Sequence, residues 1–422
     1  MPSRTLRDLF EGAAAKYLSA VDAEKHRSNQ HEIGGLVRAG FREYLGSLAK
    51  GERRIFPATM AYLPDDDQEP EIVEGKVTWY DARAENPVRG PEYRLYYPDN
   101  PVTERIEAGD FLLIAKNRDG RVLMVFAPHG SEAELQIRSL FGVEPSGNQF
   151  ETANIGEEPL VYPVRLLLED LGITAAAPDG DDDDRLLALL TARFSTQFPR
   201  TEIFSQFARD QVEVDALADP DAALLQWMET EERMFRIFEK HIVANRLQDG
   251  FGRDGVDEFI SFSLSVQNRR KSRAGRALEN HLAYLFSVHQ LEFQRGGHGR
   301  VTENNAKPDF LFPSFAAYHD QRFPSGRLRL LGAKTSCKDR WRQVLSEGER
   351  IQEKHLLTLE PGISDAQTGE MKANRLRLVV PEPLQKTYPL AQRQWLMTLK
   401  EFIDEVRGLQ GGAQTVQQPE LL

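Results

Sequence analysis

Apolar positions change their period along the chain. Residues 1 to about 50 read as helical. From residue 71 to about 126 the apolar residues come in short β-rich runs: Ile72-Val73, then 76–80, 93–97, 111–114 and 122–126. Turn signals separate them, among them Asn86-Pro87, Pro98-Asp99-Asn100-Pro101 and Asp119-Gly120, and strands punctuated in this way predict a small β-barrel or sandwich. The runs 111–114 and 122–126 predict a hairpin across Asn117-Arg118-Asp119-Gly120. A second regime is helical to about Arg246. After it, residues 272–289 place Leu278, Leu282, Leu285, Phe286 and His289 at helical spacing. Phe310-Leu311-Phe312 and Leu328-x-Leu330-Leu331 read as strands, 340–353 as an amphipathic helix, and 376–380 as a buried strand stopped by Pro381. This alternation predicts an α/β core.

Between the two regimes stands Ala175-Ala-Ala-Pro-Asp-Gly-Asp-Asp-Asp-Asp184, a Pro/Gly break with five aspartates that reads as a solvated linker. The expected organisation is an amino-terminal domain over 1–170, an acidic linker over 171–188, a second domain over 189–410 and a frayed Gly/Gln-rich tail over 411–422. A length of 422 residues allows two or three domains. The start of the chain lacks the apolar core of a signal peptide, and no run approaches a membrane span. A single cysteine, Cys337, excludes an intrachain disulfide and a Cys-rich zinc site and fits a cytoplasmic location. Phosphate-loop, H-E-x-x-H and G-x-S-x-G motifs are absent, which disfavours ATPase, zinc protease and esterase chemistry.

Charge changes the picture. The net charge of −12 argues against a generic polycation. Residues 251–360, however, hold 18 Lys and Arg against 13 Asp and Glu, a surplus of five, so the rest of the chain carries −17. The surplus concentrates in Arg269-Arg270-Lys271-Ser272-Arg273 and Lys338-Asp339-Arg340-Trp341-Arg342. Two such clusters predict contact with phosphates.

The same region holds candidate chemistry. Lys307-Pro308-Asp309-Phe310 opens one predicted strand and Lys334 closes another, the layout of the metal-dependent nuclease core written PD-(D/E)xK. A carboxylate there can hold Mg²⁺, and a lysine can stabilise charge developing on a phosphate. The usual second acid is missing, since Gly332 occupies its position. On the expected helix after Lys338, Arg340, Gln343 and Glu347 share one side and Trp341, Val344, Leu345, Gly348 and Ile351 the apolar side. Glu347 is therefore a replacement acid, and Glu279 on the preceding helix a second candidate.

Several segments carry a more specific resemblance. They are Val266-Gln-Asn-Arg-Arg-Lys-Ser-Arg-Ala-Gly275, Lys307-Pro-Asp-Phe-Leu-Phe-Pro-Ser314, Ala317-Tyr-His-Asp320, and Ala333-Lys-Thr-x-Cys-Lys-Asp-Arg-Trp-Arg-Gln343. With Lys354-His-Leu356 and Arg377-Leu-Val-Val-Pro381, they resemble, in order and spacing from about 250 to about 403, the catalytic domain of EcoRII-type restriction endonucleases. The resemblance implies a permuted PD-(D/E)xK nuclease that uses Mg²⁺. In it Asp309 and Glu347 are metal carboxylates, Lys334 is the catalytic lysine, Glu279 is a further acid, and Tyr318 and Lys338 are supporting residues. It also implies base reading by Arg269, Arg270, Lys271 and Arg273, with Arg340 and Arg342 as further DNA contacts. The implied target is a short palindrome with CC:GG ends around a central A·T pair (CCWGG-like), read by a homodimer, with a cognate DNA methyltransferase protecting host sites.

The amino-terminal part is matched more thinly, by Ser28-Asn-Gln-His-Glu-Ile33 and Asn86-Pro-Val-Arg-Gly-Pro-Glu-Tyr-Arg94. The family places there a β-rich DNA-binding pseudobarrel that binds a second DNA copy and regulates cleavage, so Arg83, Arg89 and Arg94 become groove contacts. Plain turn chemistry explains the same Asn-Pro and Gly-Pro dipeptides. Two alternatives remain: a DNA-binding repressor that has lost cleavage, and a nuclease whose first domain reads a different or modified DNA target.

Overall fold

The computed structural model describes residues 5–23, 31–64, 70–85, 88–156, 160, 163–165, 168, 181–252, 255–297, 299–337 and 341–411. The chain divides into two units, Met1–Ala177 with Pro361–Asp365 and Thr387–Pro389, and the remaining residues from Pro178 onward.

The first unit is built on β1 (Phe10–Tyr17), β2 (Glu32–Ile33), β3 (Arg53–Tyr62), β4 (Glu71–Asp81), β5 (Tyr93–Tyr96), β6 (Phe111–Asn117), β7 (Val122–Ala127) and β8 (Glu151–Thr152). They form one eight-stranded sheet in the order β2-β5-β4-β3-β7-β6-β1-β8. β3 runs parallel to β7, and the other neighbours are antiparallel. Both faces are buried. Ala14, Met60, Trp79, Leu95, Ile114 and Met124 pack on one side, and Ala13, Ala15, Leu113, Val125, Ile137 and Phe141 on the other, the last two from α1 (Glu132–Phe141). The expected hairpin is present as β6 and β7, with Ile114 opposite Met124.

Two expectations in this unit are overturned. Residues 1 to about 50 are not simply helical, because β1 occupies the alanine run. Ala14 pairs with Ile114 and Ala15 with Leu113 in a strand buried on both faces, so packing overrides the helix propensity of alanine. β3 was hidden by the opening Arg53-Arg54 and by Pro57, a residue that argues against a central strand.

The second unit opens with α2 (Asp181–Phe194), α3 (Thr201–Arg209), α4 (Pro220–Asp249) and α5 (Val256–Val288). Phe198 meets Phe235 and Phe238 at ring separations of 5.0 and 4.9 Å and ties the helices together. A four-stranded sheet follows, ordered β12-β11-β10-β9, from β9 (Phe310–Phe312), β10 (Arg329–Lys334), β11 (Lys354–Thr358) and β12 (Leu376–Val379). β9 is antiparallel to β10, and β10, β11 and β12 run parallel. α6 (Phe315–His319) and α7 (Trp341–Leu345) connect the strands, and α8 (Leu399–Gly411) ends the described chain. Phe286 of α5 sits edge-on to Phe310 and Phe312 at 5.1 and 5.2 Å, and Phe402 of α8 lies 5.6 Å from Phe312. Among the described residues no helix is long and apolar enough to cross a membrane.

Three boundaries differ from expectation here. Asp181–Asp184 are not linker but the first turn of α2, where carboxylates suit the positive end of a helix. Arg233 of α4 holds Asp182 at 2.8 Å and Asp183 at 2.5 Å. Residues 171–180 and 412–422 lie outside the described residues, as do Ser28, Asn29, Gln30, Asn86 and Pro87. α5 begins at Val256, well before residue 272. The expected helix over 340–353 is only α7, which ends at Leu345. The Glu347 N–H closes a turn on the Val344 carbonyl at 3.2 Å, and Gly348 adopts φ +66°, a left-handed conformation that stops the helix and favours glycine. From Lys354 the chain is already strand β11.

Candidate active site

Antiparallel pairing, with Phe310 opposite Leu331, brings the residue just before β9 to the end of β10. Asp309 Oδ2 there accepts hydrogen bonds from Lys334 Nζ at 2.8 Å and from the Ala333 amide at 2.8 Å. The backbone bond fixes the carboxylate independently of the flexible lysine.

The position two before Lys334 shows why no acid stands there. A Cβ on Gly332 would lie 2.7 Å from Val344 Cγ2 and 3.3 Å from Leu356 Cδ1. Val344 of α7 fills the space a carboxylate would need. Glu347 follows Val344 by three residues and is 6% exposed. It was expected on the flank of a helix. The structure instead buries it in the turn after α7. Burial, reinforced by the negative charge of Asp309 and opposed by Lys334 and Lys354, pushes its carboxyl up to about 7. Glu347 is thus within the electrostatic reach of the Asp309–Lys334 pair.

The remaining candidates divide. Tyr318 is buried, and its hydroxyl donates to Glu303 Oε2 at 2.6 Å. Burial and that carboxylate hold the phenol well above its ordinary range, so it stays neutral. Glu279 pairs with Arg295 at 2.5 Å, and Arg295 also donates to Asn280 at 3.1 Å. Lys338 and Arg340 lie outside the described residues. Two charged groups carry no role in the sequence reading. Lys354 donates to the Leu345 carbonyl at 2.5 Å, with burial lowering its pKa. Glu303 lies in a turn without periodic signal; its neighbourhood to Tyr318 is visible only in three dimensions.

Among the described residues no group of three or more His, Cys, Asp or Glu side chains is arranged to hold a metal ion. Asp309 and Glu347 nevertheless carry the donor type that suits a hard cation. Both supply carboxylate oxygens, and the carboxyl of Glu347 is raised first by its burial and then by the negative charge of Asp309.

Residues 235–403 match the family model described as EcoRII C terminal. The matched segment is similar to that family. It contains Asp309, Lys334 and Glu347 and runs from within α4 to the start of α8. The Type II restriction enzyme EcoRII of Escherichia coli is 47% identical over 221 residues, which are 52% of this chain and 54% of that enzyme. The chain therefore spans about half the length of this curated relative. Among solved structures, metal-depleted Ecl18kI in complex with uncleaved DNA aligns at 18% identity with a TM-score of 0.42, covering 56% of this chain and 88% of that one. The complex of restriction endonuclease PspGI with substrate DNA aligns at 16% identity and a TM-score of 0.38, covering 55% and 93%.

Within the matched segment the basic residues are not equally available. Arg269 stacks on Phe198 at 4.5 Å, and Arg270 pairs with Glu239 at 2.6 Å while two-thirds of its side chain stays exposed. Arg273 is 9% exposed, ion-paired with Glu232 and laid over Phe235 at 3.9 Å, so packing already engages it. Arg342 pairs with Glu370 at 2.9 Å. The side chain of Lys271 is outside the described residues. In the first unit Arg83 pairs with Glu92 at 2.5 Å, Arg94 bridges Glu32 and Glu92 at 2.6 and 2.8 Å, and Arg89 is exposed.

Proposed function

We propose that the chain is a Type II restriction endonuclease of the EcoRII kind, hydrolysing phosphodiester bonds of double-stranded DNA at a CCWGG-like palindrome. The observation that carries this is Asp309 bound to Lys334 at 2.8 Å with the buried Glu347 in their field. Asp309 and Glu347 would hold Mg²⁺. When bound, the ion would polarise a phosphate oxygen and lower the pKa of a water. Lys334 holds its Nζ beside Asp309, where charge developing on the phosphate would meet it. Tyr318, whose hydroxyl is committed to Glu303, supports the site and is not a nucleophile. Arg269 and Arg270 are the most available base readers, since Arg pairs bidentately with guanine O6 and N7.

The rest of the proposal follows the resemblance. A two-fold target is read by a homodimer, and a cognate methyltransferase protects host sites. The N-terminal unit is a pseudobarrel that binds a second DNA copy through Arg83, Arg89 and Arg94 and regulates cleavage by the C-terminal unit.

Plasmid DNA incubated with the protein and Mg²⁺ should be cut at discrete sites, and Lys334→Ala should cut at least about a hundredfold more slowly. Retention of DNA with no cutting by the unmodified protein would instead support the repressor. Regulation is tested by removing residues 1–177, which leaves α2 and its pairing to Arg233 intact. The remnant should cut single-site DNA faster than the whole chain; equal or slower cutting would remove the inhibitory role.

A further inference from the structure

We propose that Glu303 is a positioning residue, which acts through Tyr318 to set the turn carrying Glu347 and hence the affinity of the site for a divalent cation. This rests on the reading of Asp309 and Glu347 as metal carboxylates. Glu347 has no helix of its own. It lies between the end of α7 at Leu345 and the start of β11 at Lys354, on a stretch where two backbone donors are satisfied by side chains from outside it.

Two donors just after Glu347 are collected by the same pair of side chains. The Glu349 N–H donates to Glu303 Oε2 at 3.2 Å, and the Arg350 N–H reaches the Tyr318 hydroxyl oxygen at 3.4 Å. That hydroxyl in turn donates to Glu303 at 2.6 Å, so carboxylate, phenol and two amides form one closed set. The Arg350 guanidinium binds back in the opposite direction, to the carbonyls of Tyr318, of Asp320 at 3.1 Å and of Phe323 at 2.9 Å. Close packing leaves the turn little room to drift, as a Cβ at Gly348 would lie 2.9 Å from Leu330 Cδ1. Glu303 is therefore the acceptor that the Tyr318 hydroxyl and the Glu349 amide share. Its loop is itself held in place, since His319 Nε2 lies 3.0 Å from the Val301 carbonyl. Losing a group that orients a metal carboxylate without touching the metal typically costs about ten- to a hundredfold in metal affinity or activity.

The test compares Glu303→Ala, Glu303→Gln, Tyr318→Phe and the Glu303→Ala/Tyr318→Phe double variant with the unmodified full chain. Mn²⁺ binding to the protein is read by electron paramagnetic resonance, the Mg²⁺ dependence of cleavage by a titration, and folding by thermal melting. Glu303→Ala should weaken Mn²⁺ binding about tenfold or more and raise the half-saturating Mg²⁺ equally, with cleavage at saturating Mg²⁺ within about threefold of the unmodified protein. Glu303→Gln, which keeps one acceptor oxygen, should fall between. Tyr318→Phe should shift both readouts in the same direction, and the double variant should be no worse than the larger single effect. Unchanged Mn²⁺ affinity in folded Glu303→Ala and Tyr318→Phe, or additive losses in the double variant, would overturn the proposal. An Asp309→Asn control separates the two readings. If it abolishes Mn²⁺ binding while Glu303→Ala leaves it intact, the positioning role alone fails; if it too leaves binding intact, the metal reading fails and the proposal with it.

Discussion

At the scale of single residues, Gly332 is the informative departure. A missing second acid weakens a PD-(D/E)xK assignment in sequence, yet the contact of 2.7 Å between a Cβ at this position and Val344 shows that the space is taken. Gly332→Ala should accordingly destabilise the protein by roughly 1–3 kcal/mol, measured by denaturant unfolding, since overpacking a filled site forces its neighbours to move. An unchanged midpoint would mean that Val344 gives way freely. Gly332→Asp combined with Glu347→Ala should fail to restore cleavage, because the carboxylate has no cavity to enter. Sequence alone proposes Asp309, Lys334 and Glu347, whose residue types and order are local information. It could not supply the burial of Glu347, which depends on a helix ending at Leu345 rather than running to residue 353. Nor could it find Glu303, whose partners come from Tyr318 and Glu349.

At the scale of elements, legibility followed how far local preference and packing agreed. The hairpin of β6 and β7 was readable because turn residues and apolar runs point the same way. β1 was not, because an alanine run has helical propensity and becomes a strand only between two sheet faces that exist nowhere in the local sequence. The aspartate run was misread for a related reason: Asp182 and Asp183 find their counter-charge in Arg233, far along the chain. These pairs are partly exposed, so Arg233→Ala should cost no more than about 1 kcal/mol, and less at high salt. Hydrogen exchange of the first turn of α2 should nonetheless quicken in this variant; exchange unchanged at low salt would show that the helix start needs no such anchor.

At the scale of the whole molecule, two buried groups in the second unit set opposing responses to pH. Glu347 rises on folding from 4.5 to about 7, so the stability its protonated form contributes is complete below 4.5 and is lost as pH rises through 7. His355, the second residue of β11 and 5.1 Å from Phe402, is pushed down from 6.5 to about 4 by burial. Its contribution is present above 6.5 and is lost as pH falls through 4. Between 4.5 and 6.5 the two slopes oppose each other, and the metal-free protein should show a shallow profile there. Glu347→Gln removes one slope. Melting without divalent ions should find this variant more stable than the unmodified chain at pH 8, by an amount on the order of 2–3 kcal/mol, and losing stability steeply below pH 6. A variant less stable at pH 8 would show that the ionised carboxylate is welcome where it lies. Chain order has a further effect during synthesis. β3 cannot complete its parallel pairing until β7 has emerged, but every strand of the first sheet precedes Asp309, Lys334 and Glu347. On a ribosome the first sheet can therefore be assembled while Asp309, Lys334 and Glu347 are still untranslated, so this unit would be in place before the candidate site can form.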